Sequence, residues 1–355
     1  MKLLFTIGSL AGGGAERVVS RLASCMAKRG NNVEIVLIAQ NAVDYPLNEN
    51  VDVRFINPKI QIRGMRYFLR CMEYRNEVKR FEPDVIISFT TAVNIFVLDA
   101  LRGTDYRILL SERNDPYNDP PNAELRRKRD RIYKRADGIV FQTEDAKAYF
   151  SDDIQTRSAV ILNPVDVPDK YIQKGNKEKK IVTVGRLEPQ KNHSMLIKAF
   201  ASIKRKFPDY RLEIYGEGSL RNKLEELIKS EGLEGSVFLK GYTRNIFEAV
   251  STAEVFVLSS DYEGMSNALL EAMAMGLPVV STDHPIGGAR MIIINRINGI
   301  LTPVDDSNAF ADAVCEILGN KSFSDSLSQN AADISKRLDI EKITDEWMDF
   351  IHRMV

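Results

Sequence analysis

The fold class is decided by residues 2–39, which read KLLFTIGSLAGGGAERVVSRLASCMAKRGNNVEIVLIA. Lys2–Ile7 is a short apolar run typical of a buried strand, and the glycine turn Gly12–Gly14 follows it. Ala15–Arg29 places apolar residues at helical spacing, and Val33–Ala39 is a second apolar strand. Strand, helix and strand within about forty residues form a βαβ unit, which predicts a parallel sheet.

The same alternation continues outward from this unit and then starts a second time. Residues 168–180 are polar and lack periodicity, and a new strand follows at Ile181. The sequence therefore predicts two doubly wound α/β domains, residues 1–167 and 181–337, with 168–180 as the linker. Such sheets bind ligands at the carboxyl ends of their strands, so we expect the site in a cleft between the domains.

The composition of the 355 residues excludes several classes of protein. The formal net charge is zero, which argues against a nucleic-acid partner. Cys25, Cys71 and Cys315 are too far apart for a zinc motif, and so sparse a count suits a reducing compartment. No apolar stretch approaches the ~20 residues of a membrane span. We expect a cytoplasmic protein that is soluble or peripheral at the inner face of the cell membrane.

A second informative segment is residues 259–271, SSDYEGMSNALLE, which follow an apolar strand and open a short helix. Ser266 is expected to cap this helix, whose amino terminus would suit a diphosphate. Glu263 precedes the helix and Glu271 lies inside it, so both carboxylates could reach one ligand. Two solvated glutamates beside an amphipathic helix remain the alternative.

Several segments together resemble the family-four glycosyltransferases, which are retaining enzymes of the GT-B fold. The matching segments are GGGAER at 12–17, GRLEPQKN at 185–192, GEG at 216–218, EGMSN at 263–267, EAMAMGLPVV at 271–280 and NG at 298–299. The resemblance implies two Rossmann-like domains that face an interdomain cleft, with the acceptor on the first domain and a nucleotide-sugar donor on the second. It also implies that residues 338–355 form a helix that crosses back to the first domain.

For the donor, the resemblance implies that Glu263 lies by the hydroxyls of the transferred sugar and that Glu271 binds the ribose. Carboxylates suit both tasks because they accept paired hydrogen bonds from vicinal diols. The resemblance further implies that the backbone N–H groups of four consecutive residues face phosphate and sugar: Gly264, Met265, Ser266 and Asn267.

Arg186 and Lys191 follow the first strand of the second domain, and the resemblance implies that they hold the leaving diphosphate. Guanidinium and ammonium groups both suit phosphate oxygens. The chain has no Asp-x-Asp, so we expect these cations and a helix terminus to replace a metal, with no metal ligands and no cofactor. A surface pair without function is the alternative.

Three further donor contacts involve glycines and one aromatic residue. Gly13 and Gly14 would let phosphate approach the backbone closely, although a tight strand-to-helix turn would also explain them. Gly216 belongs to a matching segment, and Tyr242 lies near the position where the family often holds the base.

Arg113 departs from the family pattern. Many members have a histidine in a Ser-Glu-His context, where this chain reads Ser111-Glu112-Arg113. An arginine cannot act as a base near neutral pH. We expect an electrostatic or acceptor-binding role for Arg113, with a structural ion pair as the alternative.

Two segments of the first domain are candidates for the acceptor or a membrane. Seven of the ten residues 126–135 are basic, and Arg126, Arg127, Lys128 and Arg129 lead the run. Such a cluster suits anionic lipid or an acceptor pyrophosphate, and a solvated helix face is the alternative. Residues 62–81 place Ile62, Met65, Leu69 and Met72 at helical spacing beside arginines, which suits either the membrane interface or packing on the sheet.

These observations predict a metal-independent, retaining hexosyl- or N-acetylhexosaminyltransferase of cell-surface glycan assembly. The expected donor is a UDP-sugar, and the expected acceptor is a glycan on polyprenyl diphosphate. A nucleotide-sugar epimerase of the same fold and a non-catalytic nucleotide-sugar or membrane-binding module are the alternatives, and sugar transfer to a second molecule would separate them from the prediction.

Overall fold

The computed structural model describes residues 1–58, 63–172, 177–243 and 245–355. Within these residues the chain forms two compact units. The first contains Met1–Pro164 and Ile340–Val355, and the second contains Val165–Asp339.

The first unit is a seven-stranded parallel sheet with helices, and its strand order is β3-β2-β1-β4-β5-β6-β7. The strands are β1 (Lys2–Ile7), β2 (Asn32–Leu37), β3 (Val51–Phe55), β4 (Val85–Phe89), β5 (Ile108–Ser111), β6 (Gly138–Phe141) and β7 (Ser158–Val160). The helices are α1 (Gly14–Lys28), α2 (Arg63–Phe81), α3 (Thr91–Ala100), α4 (Ala123–Ile132), α5 (Glu144–Ala148) and α6 (Asp152–Gln155), with a 3₁₀ turn at Tyr133–Arg135. The central strands are buried along their length, as expected for a parallel sheet covered on both faces.

The second unit repeats this architecture with six parallel strands in the order β10-β9-β8-β11-β12-β13. The strands are β8 (Glu178–Val184), β9 (Arg211–Tyr215), β10 (Val237–Gly241), β11 (Ala253–Leu258), β12 (Val279–Thr282) and β13 (Ile300–Thr302). The helices are α7 (His193–Lys206), α8 (Arg221–Ser230), α9 (Ile246–Ser251), α10 (Asn267–Ala274), α11 (Ser307–Gly319), α12 (Lys321–Ala332) and α13 (Ile334–Arg337), with 3₁₀ turns at Asp169–Tyr171 and Pro189–Lys191. The two doubly wound sheets confirm the fold class that the sequence predicts.

Both sheets reverse their strand order at an internal pair of neighbouring strands. In the first unit the reversal lies between β1 and β4, and in the second it lies between β8 and β11. The loops that leave two such strands diverge to opposite faces, so a crevice opens at their carboxyl ends. This topology places the loop after β8 beside the loop after β11.

The predicted linker is shorter than the sequence suggests. Residues 173–176 lie outside the described residues, and Glu178–Lys180 belong to β8 instead of a loop. These charged residues are compatible with an interior strand because the neighbouring strand β9 supplies partners for them. Lys180 is buried beside Glu178 and Glu213, with Nζ–O distances of 3.3 and 3.9 Å.

The last helix, α14 (Ile340–Met354), belongs to the first unit. The indole of Trp347 is fully buried and stacks on the ring of Phe89, with ring centroids 5.6 Å apart. Arg29, which follows α1, forms ion pairs with Glu341 and Asp345 at 2.6 and 2.7 Å. The stacking of Trp347 on Phe89 holds α14 against the first sheet, and the ion pairs of Arg29 hold it against α1.

No helix within the described ranges is long and apolar enough to cross a membrane.

We predict that Ile351→Ala destabilises the first unit by about 2–5 kcal/mol, because Ile351 is fully buried on α14 and its loss leaves a cavity. Trp347 is the single tryptophan of the chain, so its fluorescence during urea unfolding reports on this helix. The exposed Asp349 of the same helix supplies the control, and Asp349→Ala should change the free energy of unfolding by at most about 0.5 kcal/mol. Equal unfolding midpoints for both variants would contradict the assignment of α14 to the core.

Candidate active site

The loop after β8 and the loop after β9 approach each other at Gly185 and Gly216. A side chain at Gly216 would place its Cβ 2.0 Å from the Gly185 carbonyl oxygen, so the chain after β9 passes too closely for any residue but glycine. Gly216 also has a φ of 142°, which other residues rarely adopt. Its observed role is therefore to let the two loops approach each other, while the donor contact expected of Gly216 stays a prediction.

Lys191 and Glu263 form the central ion pair of the second unit. The Lys191 ammonium donates to Oε1 of Glu263, and its alkyl stem lies over Gly185, where a Cβ would be 3.1 Å from Cδ and Cε. The Ser260 hydroxyl donates to the same carboxylate oxygen at 2.7 Å. Two residues that the sequence places 72 positions apart thus meet at the strand-order reversal between β8 and β11.

The pair is buried, and its electrostatics follow from that. Burial alone would raise the pKa of Glu263, which is 8% exposed, but the neighbouring Lys191 ammonium, with smaller contributions from His284 and Ser260, holds that pKa below its usual range. Glu263 is consequently ionised near neutral pH, and its Oε1 accepts hydrogen bonds from both Lys191 and Ser260.

Two side chains tie the loop after β8 to the loop after β11. The Gln190 amide donates to the carbonyl oxygen of Tyr262 at 2.9 Å, and the Asn192 amide donates to the Asp261 carboxylate at 2.7 Å. Arg186 is exposed beside Gln190, with an Nη2–Oε1 distance of 3.4 Å. The guanidinium of Arg186 is therefore accessible to an anionic ligand.

The helix α10 begins at Asn267 with Ser266 in the capping position. The expectation that the Ser266 side chain caps this helix is wrong, because its hydroxyl makes no hydrogen bond to the first turn. Met265 and Ser266 are buried, and Gly264 lies against Gly288, where a Cβ would be 1.7 Å from the Gly264 carbonyl oxygen. The backbone before α10 is thus held by packing, and the Ser266 hydroxyl does not cap the positive end of the helix.

Glu271 and Tyr242, two further predicted donor residues, lie on α10 and after β10. Glu271 is buried inside α10, and with Val184, Ile246, Phe247, Val250, Ala268 and Met275 it lines an apolar recess. Tyr242 is 57% exposed and directly follows β10, at the same carboxyl edge of the sheet. The structure thus gives Glu271 and Tyr242 two different surroundings.

Two histidines near this pair are absent from the sequence prediction. His284 follows β12 and is buried next to Glu263, and burial lowers its pKa. His193 opens α7, its Nε2 lies 3.2 Å from the Arg186 carbonyl oxygen, and burial lowers its pKa to about 4. The position of His284 just after a parallel strand, at the carboxyl edge of the sheet, is the signal that could have identified it.

Within the described ranges, no three His, Cys, Asp or Glu side chains lie close enough together to share a metal ion.

In the first unit, the glycine turn leads directly into α1. Gly12 has a φ of 70°, Gly13 occupies the capping position and Gly14 is the first helical residue. A Cβ at Gly13 would lie 1.9 Å from a carboxylate oxygen of Glu16, so the glycine leaves room for Glu16 to fold back over the helix terminus. The phosphate contact expected of Gly13 and Gly14 stays a prediction.

Arg113 lies two residues beyond β5. Its Cζ is 4.8 Å from the centroid of the Phe89 ring, and the described residues place no carboxylate within ion-pair distance of its guanidinium. The alternative of a structural ion pair is therefore not what the structure contains.

For Arg129, the expected contact with anionic lipid or an acceptor pyrophosphate and the alternative of a solvated helix face are both wrong. This side chain is fully buried and stacks on the rings of Tyr149 and Phe150, with its Cζ 5.0 and 5.2 Å from their centroids. It also donates from Nη2 to the Pro116 carbonyl oxygen at 2.9 Å. A charge run in the sequence does not reveal that a loop will fold over one of its members.

Two of the remaining three residues also have structural partners. Arg126 is half-buried and donates to the carbonyl oxygens of Pro120 and Pro121 at 2.7 and 2.8 Å. Lys128 is half-buried and pairs with Asp99 at 2.6 Å. Among Arg126, Arg127, Lys128 and Arg129, Arg127 alone is exposed.

The helix predicted for residues 62–81 is α2, while Ile62 lies outside the described residues. Tyr74 and Val78 are buried on the face that packs inward. Met65, Phe68 and Met72 follow one another at helical spacing on another face and are 50%, 63% and 45% exposed. The second half of the helix therefore packs inward through Tyr74 and Val78, as one of the two interpretations expects, whereas Met65, Phe68 and Met72 are exposed.

Comparison with known proteins agrees with this architecture. Residues 12–168 match the family model described as Glycosyltransferase Family 4, and residues 169–334 match the model described as Glycosyl transferases group 1. The chain is 28% identical, over 99% of its length and 98% of the relative's, to a Campylobacter jejuni enzyme. The name of that enzyme is GalNAc-alpha-(1->4)-GalNAc-alpha-(1->3)-diNAcBac-PP-undecaprenol alpha-1,4-N-acetyl-D-galactosaminyltransferase.

Solved structures share the fold at lower identity. Sucrose-phosphate synthase from Thermosynechococcus elongatus superposes with a TM-score of 0.85 at 19% identity, covering 99% of this chain and 98% of that one. Anabaena HepE in complex with UDP and glucose superposes with a TM-score of 0.84 at 20% identity, covering 99% and 100%. With two adjoining family models and a relative that aligns over nearly the whole chain, the protein is a glycosyltransferase that belongs to family 4 and has the GT-B fold.

Proposed function

We propose that this protein transfers a hexose or N-acetylhexosamine from a UDP-sugar to a glycan carried on polyprenyl diphosphate, with retention of configuration and without a metal ion. The product would enter a cell-surface polysaccharide or glycoconjugate. The observation that carries the proposal is the contact of Lys191 with Glu263 at the strand-order reversal of the second unit.

The donor chemistry follows from the groups at this edge of the sheet. Arg186 is exposed, Lys191 lies on the adjoining turn, and the Ser266 side chain does not cap the start of α10. All three offer positive charge to a departing diphosphate, which is the stabilisation that a metal ion would otherwise provide. Glu263 then accepts hydrogen bonds from the hydroxyls of the transferred sugar.

The Lys191–Glu263 pair links the two binding roles that we propose for this site. A buried ammonium needs a partner, and in the structure the partner is Glu263. An incoming diphosphate replaces the carboxylate as the partner of Lys191, and Glu263 becomes available to the sugar. Binding of the phosphate and binding of the sugar are therefore coupled through one hydrogen bond.

Support for the acceptor comes from the relatives and from the first unit. The Campylobacter jejuni relative is named for a PP-undecaprenol substrate. Met65, Phe68 and Met72 form an exposed apolar face on α2, with the exposed Arg66 on the same helix. An amphipathic helix of this kind suits the interface of an anionic membrane, where such an acceptor is held.

The experiment that tests the donor site measures UDP affinity by calorimetry, with and without EDTA. We expect Arg186→Ala to weaken UDP binding about ten- to one-hundred-fold, because a hydrogen bond to a charged group contributes roughly 1.5–3 kcal/mol. The exposed Arg205 on α7 is the matched control, and Arg205→Ala should leave the affinity unchanged. Loss of UDP binding in EDTA would contradict a metal-independent site. Equal affinities for both variants would contradict the contact of Arg186 with UDP.

We expect Glu263→Gln to separate binding from transfer. The amide removes the charge that competes for Lys191, so UDP should bind as tightly as before or more tightly. Transfer of sugar to acceptor should fall about a hundredfold or more, because a group that acts on the reacting sugar is lost. Radiolabel transfer and product NMR measure the rate and the anomeric configuration. A variant with weakened UDP binding and unaltered transfer would contradict the role of Glu263.

We expect Phe68→Ser to reduce binding to vesicles of phosphatidylcholine and phosphatidylglycerol by about tenfold, since burial of a phenyl group in an apolar layer contributes roughly 1.5–3 kcal/mol. Phe238, which is 38% exposed on β10 of the second unit, provides the same substitution as a control. Co-sedimentation measures the bound fraction. If Phe68→Ser and Phe238→Ser bind vesicles equally, the α2 face has no part in membrane association.

A further inference from the structure

Arg113 occupies a fixed position at the carboxyl edge of the first sheet. It follows β5, the neighbour of β4, and its guanidinium lies over the ring of Phe89 at the end of β4. The same ring stacks on Trp347 of α14, with ring centroids 5.6 Å apart and an interplanar angle of 18°. The guanidinium thus rests on an aromatic pair that two separate parts of the chain build.

The guanidinium of Arg113 is unusual because it is enclosed yet unpaired. Both Nη atoms are shielded from solvent, and among the described residues neither has a hydrogen-bond acceptor. Burial lowers the pKa of Arg113 to about 9, against the opposing effect of Glu112. A folded protein rarely leaves such donors without partners, because an uncompensated buried charge is strongly destabilising.

The adjacent carboxylate does not fill this gap. Glu112 is buried and accepts hydrogen bonds from the hydroxyls of Thr91 and Tyr133, each at 2.7 Å. Its remaining short contact is with the backbone N–H of Arg113, at 3.2 Å. Glu112 therefore fixes the backbone that carries Arg113 and leaves the guanidinium without a hydrogen bond.

The start of α3 lies at the same edge of the sheet. Thr90 stands at its capping position with a φ of 75°, an outlying value for a β-branched residue, and its side chain makes no capping hydrogen bond. The Thr90 amide donates to the Ser111 carbonyl oxygen at 3.3 Å, which joins the end of β4 to the end of β5. The helix terminus and Arg113 are thus close in the fold, and the carboxylates of Glu112 and Asp119 contact the Thr91 hydroxyl at that terminus, each at 2.7 Å.

We propose that Arg113 binds a phosphate group of a substrate through its two unpaired Nη atoms. The inference rests on the proposed function, because both substrates proposed there carry a diphosphate. The planar fork of a guanidinium matches two phosphate oxygens, and the enclosed position strengthens the contact. Phe89 and Trp347 act as positioning residues that hold the fork, and Glu112 holds its backbone.

The test begins with stability in the absence of ligand. Arg113→Gln removes an unpaired buried charge, so we expect its melting temperature to equal that of the unaltered protein or to exceed it by about 2–4 °C. Arg107→Gln is the control, because Arg107 pairs with Asp137 at 3.0 Å on the exposed side of the same unit. A structural role for Arg113 would instead lower the melting temperature of Arg113→Gln well below that of the control.

The second measurement uses two diphosphates, UDP and geranyl diphosphate, with affinities determined by calorimetry. We expect Arg113→Gln to weaken binding of one of them at least tenfold and Arg113→Lys to weaken it less. Loss with UDP would assign the phosphate to the donor, and loss with geranyl diphosphate would assign it to the acceptor.

Unchanged affinity for both diphosphates would overturn the inference. Arg186→Ala distinguishes that result from failure of the proposed function. If Arg186→Ala weakens UDP binding while Arg113→Gln affects neither diphosphate, only the role of Arg113 is wrong. If neither substitution changes UDP binding, the donor assignment itself fails.

Discussion

The contact of Lys191 with Glu263 is the constraint on which the loops at the carboxyl edge of the second sheet depend. Neither charge is stable alone at so buried a position, so each residue requires the other, and the loops that carry them must stay in register. The hydrogen bonds of Gln190 and Asn192 serve that register, and the fit of Gly216 against Gly185 leaves room for it. One ion pair thus sets the spacing that the two loops must keep.

The two units apply the same topology to different chemistry. Each sheet reverses its strand order at a central pair of strands, and charged side chains lie at or beside that point. In the second unit the cation is paired with a carboxylate, whereas in the first the enclosed guanidinium of Arg113 is not. The fold therefore provides loops at equivalent positions in both units, and the residue types in those loops determine what each site binds.

The sequence predicts the fold well because buried parallel strands are continuous apolar runs, as β4 and β5 show. It also predicts that Lys191 and Glu263 belong together, although only through resemblance to a family. It fails where the outcome depends on tertiary contacts. Arg129 looks like its basic neighbours in sequence, and only the folded loop and the rings of Tyr149 and Phe150 bury it. For the same reason spacing alone does not reveal the burial of His284.

The position of α14 has a consequence for biosynthesis. Trp347 covers Phe89 in the first unit, yet it is translated after the whole of Val165–Asp339. The first unit therefore leaves the ribosome with an apolar surface uncovered, and it reaches its final form only after the second unit has been made. During that interval the uncovered surface is a place where nascent chains can aggregate or chaperones can bind.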